Sequence, residues 1–301
     1  MSGYSGILEP RPAIGAGAML INTVLIVVMG VAVKTLAHMD VGTLEMLTWR
    51  AVLMFVLLLP FLIKAEHRRA VRAADIRAHL VHAVLGISTM ACFYFALRTL
   101  PLATVTTINF TTPVFALLLA RLLFNERVPR IGWLAMAIGF TGALTVLRPT
   151  AEGIGIDALV VLMGSIIAAA MNLTIRRMPA RSTNFAVIFY LSLFGATFYA
   201  IVGGPTLETP TLPEARLFLV LGLVALGVHT CMAFAYRFAS SMLIGALDYL
   251  RIIWAILIGY LIFAEQPDPI DLIGILMIVS SGWIVMRTSS AVARKPPIKP
   301  E

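Results

Sequence analysis

Two charged side chains stand where charge is costly. The stretch AYRFASSMLIGALDYLRIIWAILIGYLIFAE, Ala235–Glu265, is apolar enough from Met242 to Phe263 to cross a bilayer as a helix. Near its middle lie Asp248 and Arg251. Three residues apart on a helix, they share a face and can pair. A charge at the bilayer centre costs about 2.5–3.5 kcal/mol on insertion scales, so such residues face protein or water. A guanidinium there can hold a carboxylate, while the aspartate holds an amine or orients the arginine. An amino acid carries both groups. The pair could equally be a fixed polar clasp between helices, and both readings stay open.

Other polar groups interrupt apolar runs. His229 and Tyr236 are seven apart and share a helix face; a histidine titrates near pH 6.5 and could accept a coupling proton, or simply donate to a backbone carbonyl. Arg50 lies toward the outer end of a span, where pairing with Glu45 or snorkelling gives it a structural role. Thr104, Thr107 and Thr111 fall on one face and are expected to bond back to their own backbone around Pro113, whose missing N–H makes a hinge. Glu126 and Glu265 follow helix ends and suit capping or an arginine partner.

The elements that position these groups are membrane spans. Of the 301 residues, 60% are hydrophobic and 13% charged, about half the charge of a soluble chain, which leaves little room for a soluble domain. Ten apolar segments follow one another: Ile14–Leu36, Thr43–Ile63, Ile76–Leu97, Leu102–Phe124, Ile131–Leu147, Ile156–Ile175, Phe185–Val202, Leu217–Tyr236, Met242–Phe263 and Ile270–Met286. The first is too long for the core of a cleavable signal peptide. Of the 23 Lys and Arg, 17 fall in the terminal segments and one alternate set of loops, and four in the other set. The positive-inside rule then places both termini in the cytoplasm, as an even number of spans requires. The basic residues lie in short clusters between spans, which excludes a nucleic-acid-binding face. Cys92 and Cys231 sit inside spans without metal-type spacing and read as small core residues, so no metal and no cofactor is expected.

The chain repeats itself. Adding 139 carries Cys92 to Cys231, Arg98 to Arg237, Phe124 to Phe263, Glu126 to Glu265 and Arg148 to Arg287. Two repeats follow, 1–150 and 151–301, the second with a short basic tail. Five spans is an odd number, so the second repeat enters the membrane upside down. Inverted repeats are a plan of secondary transporters, with the substrate at the midplane between halves. The same shift pairs Asp248 with Asn109 and Arg251 with Thr112, bringing four polar side chains toward one cavity.

The run ALRTLPLATVTTINFTTPVFALLLARLLFNERV, Ala96–Val128, resembles the signature of the EamA family in the drug/metabolite transporter superfamily. The second copy keeps Ala235, Arg237 and Glu265 but has Ile252 where Pro113 has its counterpart. The resemblance spans the chain. It implies an all-α integral membrane protein of ten transmembrane helices, two inverted five-helix repeats around a central cavity lined by the first, third and fourth helices of each half. On those helices Asn22, Asn172 and Tyr94 join the candidate binding residues, although an asparagine also glues helices together. Members move amino acids and other metabolites, often outward, and aromatic amino-acid exporters are among them.

The expected activity is therefore that of a secondary carrier in the inner membrane, a monomer or weak dimer whose partners are a small molecule and the lipid bilayer. Export or import of other metabolites or amphiphilic drugs is the alternative. No GxxxxGK[ST] occurs, so ATP hydrolysis is excluded on this chain. An intramembrane enzyme would need a nucleophile with a base, or a metal cluster; HExxH and GxSxG are absent and the five histidines are scattered.

Overall fold

The computed structural model describes residues 12–124, 130–147, 155–175, 178–179, 182–204, 207–238, 244, 247–248, 250–266 and 268–293. Glu126, most of the 239–249 stretch and the basic tail from Arg294 lie outside them. Twelve helices are described: α1 Pro12–His38, α2 Thr43–Leu58 with a 3₁₀ extension Leu59–Ile63, α3 Ala65–Arg72, α4 Ile76–Ala96, α5 Leu102–Asn109, α6 Thr112–Phe124, α7 Arg130–Leu147, α8 Ile156–Thr174, α9 Asn184–Gly203, α10 Leu212–Phe238, α11 Leu250–Phe263 and α12 Pro269–Ala293. Among the described residues seven helical stretches are long and apolar enough to cross a bilayer, with α5 and α6 together forming one. Among the described residues the fold is all-helical, and the protein is a multi-pass membrane protein. Its outward faces carry large apolar side chains such as Ile21, Val84, Phe140, Ile201 and Leu261, as helices facing hydrocarbon should.

Helix starts follow local chemistry. Asp75 caps α4 by accepting from the N–H of Arg77 at 3.1 Å, and Thr183 caps α9 by accepting from Ala186 N–H at 3.2 Å. Pro12 and Pro269 each open a helix, where a missing N–H costs nothing.

Pro113 acts slightly differently from the expected mid-helix hinge. The break lies just before it, at Phe110 and Thr111, and Pro113 sits in the first turn of α6. Proline cannot donate to the carbonyl of Asn109, four residues back. The Thr112 hydroxyl donates to that oxygen instead, at 2.6 Å. Thr111 donates to Ile108 O at 2.6 Å, Thr107 to Ala103 O at 2.7 Å, and Ser165 of α8 also donates to Ile108 O at 3.3 Å. Hydroxyls satisfy the carbonyls that an interrupted helix exposes, as a membrane interior demands.

The main packing pairs are antiparallel. α2 runs against α9, with Thr48 donating to Tyr199 O at 3.1 Å, Ala51 beside Gly195 and Phe55 beside Phe189. α7 runs against α12, with Gly139 beside Ser281 and Gly142 beside Met277 and Gly274. α1 packs along α10, and α4 along α8. Adding 139 takes α1, α2, α4, α6 and α7 onto the ranges of α8, α9, α10, α11 and α12, so the α1–α10 pairing becomes the α8–α4 pairing.

The α7–α12 seam is close because it lacks side chains. A Cβ on Gly142 would lie 2.8 Å from Met277 Cβ and 2.9 Å from the Gly274 carbonyl. Gly142→Ala is therefore expected to force these helices apart and cost about 1–3 kcal/mol. Thermal unfolding in detergent checks this, with Gly17→Ala, which meets nothing within 4 Å, as the tolerated control.

Candidate functional site

The break between α5 and α6 faces the start of α11, and polar groups from both halves of the chain meet there. Arg251 Nη2 donates to Asn109 Oδ1 at 3.0 Å. The same nitrogen lies 3.7 Å from Asp248 Oδ2, and the guanidinium carbon sits 4.6 Å from the centre of the Phe110 ring. That ring is where the helix break leaves it. Arg251 has 11% of its side chain exposed and Asp248 29%, so water screens the pair only partly. Asp248 Oδ1 and Arg251 Nε are buried and have no hydrogen-bond partner among the described residues. The cluster thus keeps one free acceptor and one free donor.

A second group surrounds a small cavity between α2, α4, α8, α9 and α10. Arg50, Met54, Ile87, Met90, Met171, Ser192, Tyr199 and His229 are among its walls. Its volume is about 30 Å³, room for a little water and not for a metabolite. Tyr199 donates to Ile87 O at 2.7 Å. Tyr94 is 1% exposed, its hydroxyl has no partner among the described residues, and its ring centre is 6.0 Å from the Arg50 guanidinium carbon.

The remaining candidates separate. Asn22 is fully buried and donates to Val228 O at 2.6 Å, tying α1 to α10. Its amide acts as a bridge between helices. Asn172 is exposed on α8, not enclosed with the others. Thr112 gives its hydroxyl proton to the backbone, as described above. The structure therefore gathers Asn109, Asp248 and Arg251 at one place, His229 and Tyr94 near Arg50 at another, and leaves Asn22 and Asn172 apart.

Two contacts differ from the sequence reading, although Glu265 does cap a helix. Arg50 does not pair with Glu45; it turns inward onto the cavity. Glu265 does not take an arginine. Its Oε1 pairs with Lys34 of α1, and its Oε2 accepts from the backbone N–H of Leu102 at 2.9 Å, capping α5. Lys34 also donates to Leu100 O at 3.0 Å. Lys34 and Glu265 side chains are 9% and 14% exposed. Backbone geometry aims Glu265: Ala264 adopts φ 54°, Glu265 N–H returns to Gly259 O at 3.1 Å, and a Cβ on Gly259 would stand 2.8 Å from Glu265 Oε2. Ala264→Gly keeps that turn without its left-handed penalty and is expected to stabilise the protein by roughly 1 kcal/mol in thermal unfolding.

The sequence profile of the EamA-like transporter family matches this chain twice, over residues 13–148 and 155–287. The chain belongs to the EamA-like transporter family. It is a transporter of the drug/metabolite superfamily. Among its relatives, the EamA protein is 27% identical over 234 residues to the pseudopaline exporter CntI of Pseudomonas aeruginosa, covering 77% of this chain and 82% of that one. It is 28% identical to a riboflavin transporter of Rhizobium johnstonii, covering 82% of each. With an S-adenosylmethionine uptake transporter of Rickettsia bellii it shares 24% over 80% of this chain and 82% of that one. A solved crystal structure matches the EamA fold with a TM-score of 0.61 at 17% identity, over 92% of this chain and 98% of that one.

Proposed function

We propose that this EamA protein is a secondary carrier that moves small metabolites, amino acids first among them and outward, by alternating access. The halves 1–150 and 151–301 form two inverted five-helix repeats with ten spans in all, seated in the inner membrane with both termini cytoplasmic. Support comes from the doubled family match, the packing that recurs under a shift of 139, and the antiparallel run of counterpart helices α2 with α9 and α7 with α12. The observation that carries the substrate reading is the Asn109–Arg251–Asp248 cluster with its free donor and free acceptor. Arg251 suits a carboxylate and Asp248 an ammonium. Among the described residues the cavity beside Arg50 is too narrow for a metabolite, so the halves must part to admit cargo there.

A second reading takes its cargo from the relatives, whose names specify riboflavin, S-adenosylmethionine and pseudopaline. S-adenosylmethionine keeps an amino-acid end that the same cluster would fit. Uptake into proteoliposomes containing only the purified protein tests both. Saturable flux of amino acids supports the first reading; flux of riboflavin or S-adenosylmethionine alone replaces it with the second. Turnover of lipid without flux would point to an enzyme and overturn both.

A further inference from the structure

Arg50 is a permanent cation inside a span, 7% exposed. Its Nε has no hydrogen-bond partner among the described residues. The described ion pairs are Lys34–Glu265, Glu66–His67 and Asp248–Arg251, and none reaches it. The cavity it lines has no acidic wall; Ser192, Tyr199 and His229 are the other polar side chains on it. Tyr199 and Ser192 already give their hydroxyl protons to Ile87 O and Phe189 O. The Tyr94 ring is at the outer limit of a cation–π contact and compensates little. A buried, unpaired charge costs several kcal/mol, and a membrane protein ordinarily places such a residue against a partner or a water-filled path.

We propose that this cavity, between α2, α4, α8, α9 and α10, widens when the two halves part and is then an anion site in which Arg50 receives the carboxylate of the cargo. A single guanidinium without a second cation matches a monoanion better than a phosphate dianion. Met54, Met90 and Met171 form an adaptable apolar wall that suits an apolar or aromatic body behind the carboxylate. The site rests on the carrier reading and narrows it to amphipathic organic monocarboxylates, with or without an amino group. The Arg251 cluster and the Arg50 cavity are then two stations for the same carboxylate.

The test is thermal unfolding of the purified full chain with three matched probes: 4-phenylbutanoate, its neutral amide and the corresponding amine. The carboxylate alone is expected to raise the midpoint. Arg50→Gln should weaken its apparent affinity at least about tenfold, and Arg50→Lys should keep part of it. Without ligand, Arg50→Gln should unfold no earlier than the wild type, because it removes an unpaired charge. An equal rise with the amide, a full rise in Arg50→Gln, or no rise with the carboxylate in the wild type overturns the site. Proteoliposome uptake separates the two claims. Carboxylate binding without flux leaves the site and removes the carrier, whereas wild-type carboxylate flux by Arg50→Gln leaves the carrier and removes the site.

Discussion

Glu265→Ala is expected to destabilise the protein by about 3–5 kcal/mol, the cost of stranding one partner of a shielded ion pair. Lys34 would stay buried with only Leu100 O to receive its proton, and the Leu102 N–H at the start of α5 would lose its acceptor. Removing both charges is far milder: Lys34→Met with Glu265→Gln should recover most of the loss. The difference between the single and double changes, measured by thermal unfolding in detergent, gives the coupling. Additive effects would mean that the pair contributes little. The pair also binds three pieces of chain together, α1, the α4–α5 turn and the end of α11. In the proposed orientation these meet on the outer side. Adding 139 to Lys34 gives Leu173, so the other half offers no equivalent lysine. The outer closure then rests on this charged pair, and weakening it should favour the outward-open form.

Arg251→Ala is expected to lower transport at least about thirtyfold, the lower bound for truncating one member of a hydrogen-bonded buried charge pair. Asn109 would lose its donor, Asp248 its counter-charge, and Phe110 the cation over its face. Arg251→Lys keeps the charge but not the fork, and should fall between. Asn109→Ala should cost less than Arg251→Ala, because it leaves the charges paired. Initial rates of uptake, corrected for the folded fraction, check this order. Unchanged flux in a folded Arg251→Ala protein would make the cluster a clasp between helices.

The meeting of Asn109 with Arg251 was legible because a shift of 139 places position 109 opposite 248 and position 112 opposite 251. Local chemistry also reads directly: Thr107 and Thr111 return to their own carbonyls as threonines beside a proline should. What escaped was decided across the bundle. Arg50 has Glu45 within reach in sequence, yet α9 and α10 leave a cavity on its inner side and the guanidinium turns there. Glu265 finds Lys34, 231 positions away, and nothing near either residue announces the other. Asn22 and Asn172 look equivalent by helix, but α10 offers Asn22 a carbonyl while Asn172 stays exposed. Pro113 marks the broken helix, and the break itself falls where Thr111 and Thr112 can serve the freed carbonyls.

Alternating access to the cluster between the halves can be measured without knowing the cargo. In a protein whose Cys92 and Cys231 are replaced by alanine, Asn109→Cys is exposed to a membrane-impermeant maleimide in right-side-out and in inside-out vesicles. Labelling from both sides is expected, and oxidising a cysteine pair at positions 34 and 265 should leave only the cytoplasmic route. Labelling from neither side, or from one side whether or not that pair is joined, would contradict a carrier that opens between its two halves.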